Sequence, residues 1–251
     1  MNPPNTAKPE QGMLSHLHEL RRRFQIAVVA YVVGVVVLMN FSSVIFDFMS
    51  LPLRSVLPPH TPLVFLNAPD VFFTYLKIAL VLSIFVTSPI TFYQAWAFIA
   101  PGLYSHERSL FLGFFLASLL LLFAGAAFAF YAVFPIIFSF FMSFSSETIQ
   151  AMPAVKEYLT LVLKLLFAFG LSFQVPIVVI ALVRLDIMDV DSLAAKRRYV
   201  MVWVFILAAI LTPPDVISQT LLAIPMYALF EIGIWVARAM QKNQSAPNDE
   251  A

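Results

Sequence analysis

No charged side chain occurs between Phe24 and Ile45, and comparable uncharged stretches recur along the rest of the chain. About 20 such residues let a helix cross a hydrocarbon core of about 30 Å. Inside that core each backbone N–H and C=O must be satisfied within the protein, which a helix does by itself. The residue balance agrees, since 61% are apolar and 12% charged, against roughly 45–50% and about 25% in soluble domains. The chain is therefore read as an all-α membrane protein. Cysteine is absent, which excludes disulfides, thiolate metal sites and a cysteine nucleophile.

The first uncharged run follows Arg21, Arg22 and Arg23. It is too long for a removable signal peptide and shows no small-residue cleavage site, so it reads as a retained span. Before it, Met13, Leu17, Leu20 and Phe24 recur at helical spacing among charges, as in a helix lying on the membrane surface. Five prolines between Asp47 and Asp70 argue for an ordered loop with short helical pieces. A second span follows over Val71–Phe98, kinked at Pro89, with Lys77 reaching toward the nearer interface. The 38 uncharged residues from Ser109 to Ser146 would make a helix of about 57 Å. A third span is accordingly expected to end or bend at Pro135, leaving Phe138–Phe144 along the interface. The fourth, Tyr158–Val183, carries Lys164, Gln174 and Pro176.

Sixteen residues separate Arg198 from Asp215, and fifteen separate Asp215 from Glu231. As helices these reach only about 22–24 Å. Spans five and six are thus expected to be short, with either a thinned bilayer beside them or a re-entrant hairpin tipped by Thr212–Asp215. Residues 1–12 read as a disordered tail, 13–237 as one six-helix membrane domain, and 238–251 as a disordered cytoplasmic tail. Eleven Lys and Arg residues fall on the side holding both termini, whereas Arg54 and Lys156 fall on the other. That bias puts both termini in the cytoplasm.

The sequence has no H-E-x-x-H, G-x-S-x-G or G-x-x-x-x-G-K-[ST] pattern, so the usual signatures of a metalloprotease, serine hydrolase or ATPase are missing. No cofactor or metal is implied. His16 and His18, two residues apart on a helix, point in different directions. Glu19 reads as a partner of Arg22 or Arg23, Glu107 and Glu231 as solvated carboxylates, and Asp215 as a helix cap. Gln174 is harder to place. An amide near mid-membrane needs partners, from neighbouring helices, cavity water or a bound peptide, and packing and function stand equally open. A proton-coupled secondary transporter is the alternative function, although such proteins usually hold ionisable residues near mid-span.

Taken together, several stretches resemble the TatC family. They are His16-Leu17-His18-Glu19-Leu20-Arg21-Arg22-Arg23, Tyr93-Gln94-Ala95-Trp96-Ala97-Phe98-Ile99-Ala100-Pro101-Gly102-Leu103-Tyr104 with His106-Glu107-Arg108, and Leu211-Thr212-Pro213-Pro214-Asp215-Val216-Ile217-Ser218-Gln219-Thr220-Leu221. The likeness covers roughly Met13 to Trp235 and implies six helices in a cupped, glove-like arrangement in the bacterial inner membrane. It implies a non-enzymatic receptor and core subunit of twin-arginine translocation, exporting folded proteins on the proton-motive force without ATP. Implied partners are TatA and TatB, twin-arginine signal peptides, further TatC copies and lipid, with no nucleic acid. The resemblance assigns signal-peptide binding to Glu19, Arg21, Phe98, Glu107 and Arg108, shaping of the outer loop to Pro52, and partner docking to Thr212, Asp215 and Gln219. Gln174 departs from the glutamate common in relatives.

Overall fold

The computed structural model describes residues 9–57, 63–99, 108–144, 152–212 and 216–245, and the regular elements among them are helices. The first, α1 (Pro9–Met39), is one continuous helix of 31 residues. A surface helix and a separate span were expected there. Nothing from Leu17 to Phe24 is a helix breaker, so the charged turns extend the span instead of folding away from it. The helix also begins inside the stretch expected to be a disordered tail. Val29, Val32, Val33, Val36 and Val37 are exposed on the outside of the bundle, where lipid would meet them. Short helices α2 (Ser42–Met49) and α3 (Leu51–Arg54) follow, with Pro52 buried in α3.

Prolines fix the next breaks. The second span divides at Thr87 into α4 (Pro69–Val86) and α5 (Ser88–Ile99). Pro89 has no N–H for the carbonyl of Phe85, and Ser88 Oγ donates to that oxygen at 2.6 Å. A neighbouring hydroxyl thus satisfies the freed backbone group within the membrane. The third span runs as α6 (Arg108–Phe128), a π-helical turn (Ala129–Val133) and α7 (Phe134–Met142). An end or bend was expected at Pro135; the helix instead runs on through it, and the π turn just before, where Phe134 N bonds back to Ala129 O, accommodates a residue without an N–H. Phe138 is buried in the bundle, its ring centroid 5.0 Å from that of Tyr158. The fourth span divides into α8 (Val155–Ser172) and α9 (Val175–Arg184), with Pro176 in the first turn of α9.

α8 stands at the centre of the bundle, packed against α4 and α6. Its start is pinned by a short pairing of Val64 with Ala154, by Lys156 Nζ to Asp70 Oδ1 at 2.9 Å, and by Tyr158 Oη donating to Met49 O at 2.6 Å. The α6–α8 crossing is close enough that a Cβ on Gly125 would stand 2.6 Å from Phe169 O, a backbone atom that cannot step aside. Gly125→Ala should therefore cost about 1–2 kcal/mol, read as a lowered unfolding temperature in detergent. Gly113→Ala, whose Cβ would meet nothing within 4 Å, is the control and should be neutral.

After α10 (Val190–Ala195), capped by Asp189 accepting from Ser192 N at 2.9 Å, come α11 (Arg197–Leu211) and α12 (Val216–Ser245). The Ser192 hydrogen bonds hold the Asp189 carboxyl below the usual carboxylate range. At 15 residues α11 is short, as expected. α12 is not short, for it continues through Glu231 and through the stretch from 238 to 245 expected to be disordered. Glu231 marks no helix end because Arg197 and Tyr227 partner it, so the helix can carry it onward. Five helical stretches among the described residues are long and apolar enough to cross a membrane: Leu17–Met39, Pro69–Val86, Phe111–Met142, Val155–Arg184 and Val216–Lys242.

Candidate functional site

Five residues before Phe24, where the uncharged part of α1 begins, Glu19 already holds a guanidinium. Arg23 Nη2 and Nε donate to Glu19 Oε1 at 2.6 and 3.0 Å, an i,i+4 pair on one helix face. The remaining nitrogen, Nη1, reaches Gln94 Oε1 on α5 at 3.3 Å. Arg23 therefore ties α1 to α5 through a carboxylate and an amide. The second oxygen of Glu19, Oε2, has no partner among the described residues, and the side chain is 39% exposed. A further donor can approach it. Arg21 and Arg22 are exposed beside this pair.

One turn beyond Gln94 on α5, Phe98 lines a cavity of about 870 Å³ between α5, α6 and α9. Its walls are apolar, with Phe92, Ile99, Ile177 and Leu182 among them. Its polar part is a relay: Trp96 Nε1 donates to Ser118 Oγ at 2.9 Å, and Gln174 Nε2 donates to Ser118 O at 3.0 Å. The indole also stacks on Phe114 at 4.8 Å between centroids. Gln174 thus packs against α6 and also lines the cavity.

The remaining assigned residues divide by what the structure describes. Glu107 and Asp215 lie outside the described residues, and Arg108 begins α6 with its side chain outside them. Thr212 is buried, its hydroxyl returned to Ala208 O at 2.8 Å. Gln219, half-buried, donates to Phe205 O at 2.9 Å and bridges α12 to α11. Sequence reasoning missed Gln94 and Ser118 as participants. Gln94 stands inside one of the quoted motifs, and Ser118 is a hydroxyl in an otherwise apolar run. It also missed the fork between Arg197 and Glu231, at 2.7 and 2.8 Å, because partners 34 residues apart leave no local pattern.

The arrangement offers a carboxylate on α1 that accepts guanidinium and, along the neighbouring α5 that Arg23 reaches, an apolar cavity. It suits an extended ligand carrying arginine ahead of an apolar stretch. The sequence profile described as "Sec-independent protein translocase protein (TatC)" matches residues 15–225. The Sec-independent protein translocase protein TatC of Magnetococcus marinus is 40% identical over 93% of this chain and 86% of its own length. That of Escherichia coli is 41% identical over 91% and 88%. A crystal structure described as the twin arginine translocase receptor TatC superposes with a TM-score of 0.82 at 35% identity, covering 90% of this chain and 99% of that one.

Proposed function

The chain belongs to the TatC family of Sec-independent protein translocase subunits, and from that premise we propose that the α1–α5 surface receives the paired arginines of export signal peptides. As a family member it is a component and receptor of the twin-arginine translocase, works with other Tat subunits in the bacterial inner membrane, and is not an enzyme. The observation that carries the signal-peptide reading is the Glu19–Arg23 fork with one carboxylate oxygen still open. Glu19 and Glu107 accept the signal arginines. Arg21 and Arg108 set the charge around them, and Phe98 meets the apolar part of the signal. Site-specific crosslinking from a signal peptide to positions 19, 98 and 107 tests this; crosslinks confined to the opposite end of the bundle would overturn it.

The finer architecture belongs to the same proposal. Six crossings form a cupped bundle with both termini cytoplasmic, α11 being the crossing too short to reach across an undistorted core, at about 22 Å. The Lys and Arg distribution supports that orientation. Labels near Ser146 and Asp191 should then be accessible from opposite sides, and reaction of both from one side would end the six-crossing reading. TatA and TatB helices dock beside Thr212, Asp215 and Gln219, other TatC copies complete the complex, Pro52 shapes the outer loop, and the proton-motive force drives export without ATP. Because tilting only worsens a deficit in length, the bilayer thins beside α11. Four leucines inserted into α11 should weaken export while leaving signal-peptide binding intact, measured as precursor transport into inverted vesicles. Unchanged transport would mean that the shortness has no function.

A further inference from the structure

At the end of the bundle where α4 and α8 begin, three lysines surround one open cleft of about 600 Å³. Lys156, Thr160 and Lys164 follow one another at i, i+4 and i+8 on one face of α8. Lys77 crosses from α4 to donate to Thr160 Oγ1 at 3.1 Å. The tip of α11, Ile210 to Thr212, makes the facing wall. The three cations are answered unequally. Lys156 has Asp70 at 2.9 Å, Lys77 has a neutral hydroxyl, and the exposed Lys164 has no carboxylate in ion-pair distance among the described residues. Glu157, which also lines the cleft, adjoins Lys156 and stands about 10 Å along the helix from Lys164.

Depth makes the shortfall significant. Lys164 lies about 12 Å along α8 from Lys156, inside the apolar stretch Val155–Arg184. A cation that far in is costly unless water or an anion comes to it. The neighbouring α11 has 15 residues and a length of about 22 Å, against a core of about 30 Å. Headgroups are therefore drawn down to its tip, into the same cleft. Leu161, Ile210 and Leu211 leave the walls apolar, so the occupant must bring an anion and a hydrocarbon tail together. A free anion would answer the lysines and leave those walls wet.

We infer that the cleft binds the phosphodiester headgroup of an anionic phospholipid from the adjoining leaflet, its phosphate between Lys77 and Lys164 and its acyl chains along Leu161 and Ile210. The inference rests on the proposed crossing of α11 with a bilayer thinned beside it, and does not depend on the signal-peptide reading.

The test uses the full chain in phosphatidylcholine nanodiscs containing a minority of phosphatidylglycerol, with the lipids retained after extraction counted by native mass spectrometry. Phosphatidylglycerol should be retained over phosphatidylcholine. Lys77→Gln with Lys164→Gln should lower that preference about twenty-five-fold, from about fivefold for each basic residue. Lys77→Arg with Lys164→Arg should keep it. Equal preference in the wild type and the glutamine pair would overturn the inference. So would release of the retained lipid by millimolar inorganic phosphate, which would make the site one for the free anion. Should the glutamine pair fail to fold, Lys164→Met alone serves: phosphatidylglycerol should raise the unfolding temperature of the wild type more than that of the variant, and equal rises would count against the site.

Discussion

Replacing Glu19 and Glu107 together by glutamine should weaken binding of a twin-arginine signal peptide by roughly 10² to 10⁴. A forked, charge-assisted pairing contributes about 1.5–3 kcal/mol where partly shielded from water, and there are two arginines to receive. Glutamine keeps the size and one acceptor, so membrane insertion and assembly should survive. The two carboxylates need not contribute equally. Glu19 is already engaged by Arg23 through a single oxygen, at 2.6 and 3.0 Å, and an incoming arginine either shares the carboxylate or displaces Arg23 toward Gln94. Glu19→Gln alone should therefore fall at the low end of the range, and Arg23→Gln should raise affinity by freeing the acceptor. Lysine in place of the signal arginines keeps the charge and loses the planar fork, so it should bind more weakly. Salt should weaken binding less steeply than for a fully exposed pair. Affinities of wild type, each single variant and the double, with arginine and lysine signals, check all of this. Equal arginine-to-lysine differences in all four proteins would mean that the carboxylates only shape the site.

Prolines and charge made much of the fold legible beforehand, because both act locally. Pro89 follows a break in its span and Pro135 a π turn, each where a missing N–H disturbs the helical ladder, and the short α11 follows from the spacing of Arg198 and Asp215. Pairing across helices is what the linear pattern conceals. Glu231 reads as the end of a span only while it is taken as solvated. Once Arg197 neutralises it, α12 can carry the carboxylate onward and run on to Ser245. Likewise, the charged turns of α1 suggest a separate surface helix, yet nothing there breaks the backbone, and Arg23 faces Glu19 and Gln94 within one continuous helix. At the candidate site Glu19 and Phe98 come from family resemblance, whereas Gln94 and Ser118 emerge only when α1, α5 and α6 meet.

Glu231→Leu should destabilise the folded chain, because it takes the partner of Arg197 away where α11 begins to pack on α12. Three donors converge on that carboxylate: Arg197 Nε at 2.7 Å, Arg197 Nη2 at 2.8 Å and Tyr227 Oη at 2.8 Å. The side chains are 41% and 33% exposed, so water screens the pair and the expected loss lies below that for a fully buried one. Tyr227→Phe removes one donor to a charged acceptor and should cost about 1.5 kcal/mol. The informative variant is the double one. Arg197→Leu with Glu231→Leu removes both charges, leaves none stranded, and places two apolar side chains between helices in an apolar surround. It should be more stable than either single variant. Denaturant or thermal unfolding in detergent supplies the cycle, and losses that simply add would show that the fork contributes nothing to holding α11 against α12. If the fork does hold them, the short helix depends on it: α11 has little length of its own, and its start is fixed by a partner on α12, the longest of the helices packed against it.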